Sequence, residues 1–329
     1  MNALKVLNAR RSWLLWLALA LTLLLPLTGE LYYVKLLTRI LIFAIAALGL
    51  DLLVGYLGLV SFGHAAFMAI GAYTVGILAS QGVTSAWLAW PLAILFGSLF
   101  ALVVGAISLR CSGLYFIFIT LAFAQMTFYA AQSLRSYGGD DGFALDAANT
   151  LAPGISVSDP IIMFYVSAAI LLACLYLCKR LVKAPFGKVA IACRDNETRL
   201  ACVGINPLPY KLLMFVISGA ITAISGALLA NLTSFINPGY TSWIVSGELL
   251  VMVILGAVGT LIGPILGAAV FVGFEHALSD ITEHWMLIFG PLIIIRVLFM
   301  KNGIYGIFQN KTREKKPQHA KPAEQGVSP

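Results

Sequence analysis

Runs of about 20 apolar residues, each long enough to cross a hydrocarbon core of roughly 30 Å as a helix, recur along nearly the whole chain. No other feature narrows the fold as much. Backbone N–H and C=O groups in lipid must be satisfied within the chain, so a sequence of this kind folds as helices packed on one another. The composition agrees, with 60% hydrophobic and 11% charged residues, where soluble domains carry about 25% charged residues. The expectation is an all-α polytopic membrane protein: one transmembrane domain over residues 1–310, followed by an unstructured basic tail, 311–329.

The apolar runs fall at 13–28, 36–60, 62–80, 87–109, 114–134, 160–181 and 208–235. A longer run follows at 244–278, and a last one at 285–300. The N-terminal run imitates a secretory leader but has no small-residue cleavage site, and it is read as a first span. Five crossings put the loop "RSYGGDDGFALDAANTLAPGISVSDP" opposite the N-terminus. It carries Asp140, Asp141, Asp146 and Asp159 against Arg135. The next loop carries Lys179, Arg180, Lys183, Lys188, Arg194 and Arg199. The excess of Lys and Arg on cytoplasmic loops therefore predicts an inner-membrane protein with the N-terminus, the central loop and the C-terminus inside. The run 244–278 must then contribute two crossings. Its break is expected at Gly263-Pro264, with Gly259, Gly263 and Gly267 at four-residue intervals as in close helix packing. The count is about ten transmembrane or partly re-entrant helices.

The net charge of +7 comes from Lys and Arg gathered at the two ends and in the central loop. That is a pattern of membrane orientation and argues against a nucleic-acid partner; the partner it implies is lipid. The five cysteines show no paired spacing, so no metal site or disulfide is expected from them.

The central loop, 183–207, has more structure than topology alone requires. In "FGKVAIACRDNETRLACVGINP", Val189, Ala192 and Cys193 share one side of a short helix. Asp195 and Asn196 offer capping side chains, Leu200, Ala201 and Val203 make a second apolar strip, and Gly204, Asn206 and Pro207 read as a helix stop. A loop whose charges only set orientation and a rigid docking knob are both compatible with this pattern.

"PFGKVAIACRDNETRLACVGINPLPYKLLMFVISG" resembles the cytoplasmic loop of the LivM-type permease subunits of branched-chain amino-acid ABC importers. "GLVSFGHAAFMAIGAY", "GLYFIFITLAFAQM", "GGDDGF" and "ELLVMVILGAVGTLIGPILGA" resemble other stretches of that family, in the same order. The resemblance implies a type II-like ABC importer permease and a transporter of leucine, isoleucine and valine. Its implied partners are a second homologous permease subunit, two ATPase subunits and a periplasmic substrate-binding protein. The loop would be a coupling helix, with Arg194, Asp195, Glu197 and Arg199 as polar contacts to the ATPase, Leu200 and Val203 as apolar anchors, and Gly204 ending the unit. The chain has no GxxxxGK[ST] phosphate loop. It is therefore expected to bind no cofactor and to act as a transport subunit rather than an enzyme, ATP being used by its partners.

Polar residues inside apolar runs are the candidate pathway groups. His64 in "SFGHAAF" is either a packed histidine or a pathway residue. Glu248 is either a carboxylate near the outer mouth or a charge at a helix N-terminus. Thr120, Gln125 and Asn231 suit either a path for zwitterions or interhelical bonding.

Three rival functions remain on this reading. The same machinery could carry urea, short amides or other amino acids. An ion-driven transporter would require paired intramembrane carboxylates or broken helices in two matching halves, and here Asp51 is near a span end while the other acids lie mostly in loops. An intramembrane enzyme would require a nucleophile with its base or a metal cluster. "FEHALSDITEHW" brings Glu275, His276, Glu283 and His284 close in sequence but at the wrong spacing for a zinc site, in what reads as an outer loop.

Overall fold

A computed structural model describes residues 30–152, 154–279, 282, 284, 286–288 and 290–291. The expected first span, the tail, Glu283 and most of the expected last span lie outside these. The described chain is a helical, multi-pass membrane protein. Five helices are long and apolar enough to cross a bilayer: α1 (Leu31–Val54), α3 (Ala86–Ser108), α4 (Leu114–Ser133), α5 (Pro160–Lys183) and α8 (Pro207–Thr233). Three apolar helices are shorter: α2 (His64–Ser80), α9 (Trp243–Gly256) and α10 (Gly263–Ser279). Two polar helices, α6 (Pro185–Asp195) and α7 (Glu197–Cys202), join α5 to α8.

The centre of the bundle is α8, packed against α1, α2 and α3. Its Asn206 side chain accepts the Leu208 N–H at 3.1 Å and Pro207 opens the first turn, so its start is fixed locally. Between lipid-like helices there is little hydrophobic force, and small residues permit the close approach that association needs. Along α8 these are Ser218, Gly219, Thr222, Ala223, Ser225, Gly226 and Ala227, each with another of the set one turn away. A Cβ on Gly226 would meet the Met68 carbonyl of α2, and one on Gly71 of α2 would meet the Ala223 carbonyl of α8. Helix α1 is buried on every side from Ile42 to Leu53, as expected of a helix inside a membrane bundle. The outer faces of α3, α4 and α5 expose Trp87, Leu95, Leu99, Phe118, Met126 and Tyr176, the composition of a lipid-facing surface.

The run 244–278 does split in two, but the break lies upstream of Gly263-Pro264. Residues 257–262 make the turn, with Ala257 at φ 135° and Gly259 at φ 76°. Pro264 falls in the first turn of α10, where its missing N–H has no intrahelical partner to lose. Gly263 and Gly267 are packing residues: a Cβ on Gly267 would strike the Met252 carbonyl, and one on Gly256 the Gly263 carbonyl. Gly259 belongs to the turn and not to a helical stripe. At 14 residues α9 rises only roughly 21 Å, short of a full crossing.

The polar loops sort into two ends. At one, β1 (Phe143–Ala144) pairs with β4 (Phe235–Ile236), the hairpin β2 (Thr150–Ala152) and β3 (Ile155–Ser156) lies alongside, and the Thr150 N–H donates to the Thr84 carbonyl at 2.8 Å. At the other, the α1–α2 turn, the α9–α10 turn and α6 meet. The acidic loop 135–160 is at the first end and the basic segment 183–207 at the second, so the charge asymmetry of the sequence is also a spatial one.

Candidate functional site

Helices α6 and α7 form one unit held against the membrane bundle. Asn196 accepts the Arg199 N–H at 2.8 Å and caps α7. Asp195 caps nothing; it pairs with Arg194 at 3.3 Å on the surface. Gly187, Ala190 and Cys193 form the buried face of α6, whereas Val189 and Ala192 are half-buried. Burial raises the Cys193 thiol above its usual range, an effect partly opposed by Lys211. After α7, Gly204 takes φ 84° and the Ile205 N–H returns to the Leu200 carbonyl at 3.3 Å, a left-handed helix stop. Asn206 and Pro207 belong to the start of α8.

Two of the polar residues expected to face a partner are turned toward the chain itself. Arg194 donates from Nη1 to the Gly55 carbonyl at 2.6 Å and lies along Gly58. Glu197 forms an ion pair with Lys211 of α8. Leu200 packs on the core, while Val203, 73% exposed, is free. Asp195, Arg199 and Val203 thus make the outward surface of this unit, with Arg194 and Glu197 acting as its fastenings.

Arg194 leads to a second contact. Gly55 abuts Gly259 so closely that a Cβ would overlap the Gly259 backbone, and the Gly259 N–H donates to Asp51 Oδ1 at 2.8 Å. Asp51 is fully buried, and its Oδ2 accepts no hydrogen bond among the described residues. The chain α6, Gly55, Gly259, Asp51 connects the polar helices to the short α9–α10 hairpin through two side-chain-to-backbone hydrogen bonds and one close backbone contact. In sequence Asp51 shows only its place near a span end, because Gly259 is 208 residues away.

His64 starts α2 and is fully buried. Ser218 donates its one hydroxyl proton to the Gly49 carbonyl at 2.5 Å, so it accepts from His64 Nε2–H at 2.8 Å; Nδ1 then accepts from Ser61 at 3.1 Å. The ring also meets Phe67 edge to face at 5.3 Å. Both nitrogens are engaged, which is the packed-histidine arrangement. Around it, backbone donors near the helix start that lack an intrahelical partner are satisfied by side chains: Phe62 N–H by Thr120 Oγ1 at 3.2 Å and Ala65 N–H by Ser246 at 2.9 Å. Gln125 is half-buried on α4.

Asn231 belongs to the opposite end. It accepts the Asn149 N–H at 2.9 Å and donates to Asn149 Oδ1 at 2.8 Å and to the Ala227 carbonyl at 2.8 Å. That arrangement fastens the acidic loop to α8.

Glu248 lies beyond the first turn of α9, outside the short range of the helix dipole. Arg39 of α1 and Glu275 of α10 stand within electrostatic reach of it. Arg39 and Glu275 form an ion pair at 2.9 Å, and Tyr32 bonds His276 Nε2 at 2.8 Å. Glu275 and His276 are on the apolar helix α10 and not in an outer loop. Arg39 escaped sequence analysis because its partner is 236 residues away.

The family described as branched-chain amino acid transport system / permease component matches residues 32–297. The chain is 28% identical over 290 residues to the high-affinity branched-chain amino acid transport system permease protein LivM of Escherichia coli, covering 81% of this chain and 68% of that protein. It is 22% identical over 286 residues to the corresponding protein LivH of Salmonella typhimurium, and 24% identical over 286 residues to BraD of Pseudomonas aeruginosa; each match covers 80% of this chain and 91% of the relative. No solved structure matches the chain at a significant level.

Proposed function

The chain belongs to the branched-chain amino acid transport permease family, and from that premise we propose that it carries leucine, isoleucine and valine into the cell as one permease of an ATP-driven importer. A second homologous permease completes the membrane path, two ATPase subunits bind below, and a periplasmic binding protein delivers the amino acid. The chain holds no cofactor of its own, and ATP is hydrolysed by its partners. The observation that carries the docking role is the fastened α6–α7 unit. Arg194 and Glu197 fix it to the bundle, and Val203, Arg199 and Asp195 are left facing outward. A rigid projection of this kind transmits a push; a slack topological loop does not.

The function is tested by reconstituting the chain with these partners in vesicles and measuring ATP-dependent uptake. Leucine, isoleucine and valine should accumulate, while urea and acetamide should not. Uptake of the amides alone would assign the chain to another solute of the same machinery.

In the same reading the α6–α7 end is cytoplasmic and the acidic loop periplasmic, with both termini inside. In a background lacking the native cysteines, of which Cys111 and Cys202 are exposed, a membrane-impermeant thiol reagent applied to intact cells should modify Asp146→Cys and spare Thr198→Cys. The reverse labelling would invert the orientation.

A further inference from the structure

We propose that Arg39, Glu248 and Glu275 form a site for a zwitterionic α-amino acid within the membrane, the ammonium on Glu248 and the carboxylate on Arg39. The inference rests on the transport reading above and names the groups that would meet the solute.

The three side chains come from α1, α9 and α10. Asp51 and Gly259 join α1 to the α9–α10 turn at one end. Measured from that end, Arg39 and Glu275 both lie roughly 18 Å up their helices and Glu248 roughly 12 Å, at a rise of 1.5 Å per residue. Measured from the other end, Glu248 is six residues into α9 and Glu275 four residues before α10 stops, so the cluster lies nearer the end that carries the acidic loop. Arg39 donates from Nη2 to Glu275 Oε1 at 2.9 Å and stacks over Phe43 at 5.6 Å from the ring centre. The side chains remain 43% and 20% exposed on the surface of this chain. Ionised groups left open on the faces of apolar helices are costly against hydrocarbon and are kept where protein or water meets them. This face of the bundle therefore lines a wet path or a protein joint.

The charge count selects the solute. Two carboxyl groups stand against one guanidinium, so after Arg39 and Glu275 pair, Glu248 is left over, and the group that complements it is an ammonium. The guanidinium has five N–H donors in a planar fork, of which the Glu275 contact uses one, and a carboxylate fits the remainder. Glu275 then holds Arg39 in place as a positioning residue. An uncharged amide would satisfy neither group. A purely structural ion pair between α1 and α10 would not need Glu248 beside it.

The test uses the full reconstituted complex. In the double variant Arg39→Glu with Glu275→Arg the pair is kept but its direction is reversed, and in Glu248→Gln the left-over carboxyl group is replaced with its shape retained. Both variants should co-purify with the ATPase subunits as the parent does, and leucine uptake in vesicles should fall at least tenfold in each. Uptake within twofold of the parent in the reversed pair, or in Glu248→Gln, overturns the site and leaves the pair a helix fastener. Should the reversed pair fail to assemble, Glu248→Gln alone decides by the same criterion. A parent complex that takes up no amino acid defeats the transport reading itself, which separates that failure from failure of the site.

Discussion

Replacing Arg194 with alanine is expected to lower amino-acid uptake roughly tenfold while the chain still inserts and assembles, because a charged hydrogen bond worth about 1.5 kcal/mol is lost. The lower end of the usual range applies because the side chain is 43% exposed. The bond from Nη1 to the Gly55 carbonyl at 2.6 Å joins α6 to the α1–α2 turn. Gly55 in turn lies on Gly259, whose N–H is held by Asp51. Without Arg194 the outward surface of the unit is intact, so the ATPase should still bind, but a movement of α6 would no longer be passed to the α9–α10 hairpin. ATP hydrolysed per leucine taken up should therefore rise, and that ratio is the measurement. Arg194→Lys should recover part of the coupling, since one donor still reaches a carbonyl. A variant with alanine that transports at the parental ratio would show that α6 is coupled elsewhere.

Valine at Gly226 should have the largest effect of all on the folded protein. The first added carbon would fall on the Met68 carbonyl, and neither backbone has room to move because Ala223 of the same helix is pressed on by Gly71 and Gly97. Overpacking a well-filled interior commonly costs about 1–3 kcal/mol, and a clash with backbone belongs at or above the top of that range. The expected result is a sharp loss of detergent-soluble monodisperse protein and, in what remains, a lower Tm. Gly273 on α10 meets nothing within 4 Å of its added carbon, and Gly273→Ala is the matched control that should leave both readings unchanged. Equal behaviour of the two variants would remove the close contact between α2 and α8 from the account of stability.

The apolar runs in the sequence located most of the membrane helices, because a helix in lipid announces itself by local composition alone. What they could not convey depended on partners far along the chain. The run 36–60 reads as one span in sequence, yet α1 ends at Val54, where Gly55 meets Gly259. Gly263-Pro264 signalled a break correctly in kind but not in place. Proline is as comfortable in the first turn of a helix as just beyond its end, and the sequence offers no choice between them. In the polar segment Gly204 and Asn196 were legible, since a left-handed stop and a cap are local devices. The fastening of Arg194 and Glu197 was not, because a charged side chain looks alike in sequence whether it faces a partner or its own backbone. Arg39 and Glu275 were invisible for the same reason, at greater separation. Asn231 was found as a polar residue at a span end, but its role depends on Asn149 in the loop.

The paired strands and the Asn149–Asn231 bonds bear on how quickly a visitor can come and go at that end of the molecule. A loop that is loose in solution must be ordered each time a partner lands, at about 0.5–1.5 kcal/mol for each immobilised rotamer-rich side chain. Here β1 is already paired with β4, Thr150 is bonded to Thr84, and Asn149 is bonded twice to Asn231. The ordering has been completed during folding. A protein that docks on this surface meets a hard template, so recognition can be brief and repeated without refolding the loop at every visit.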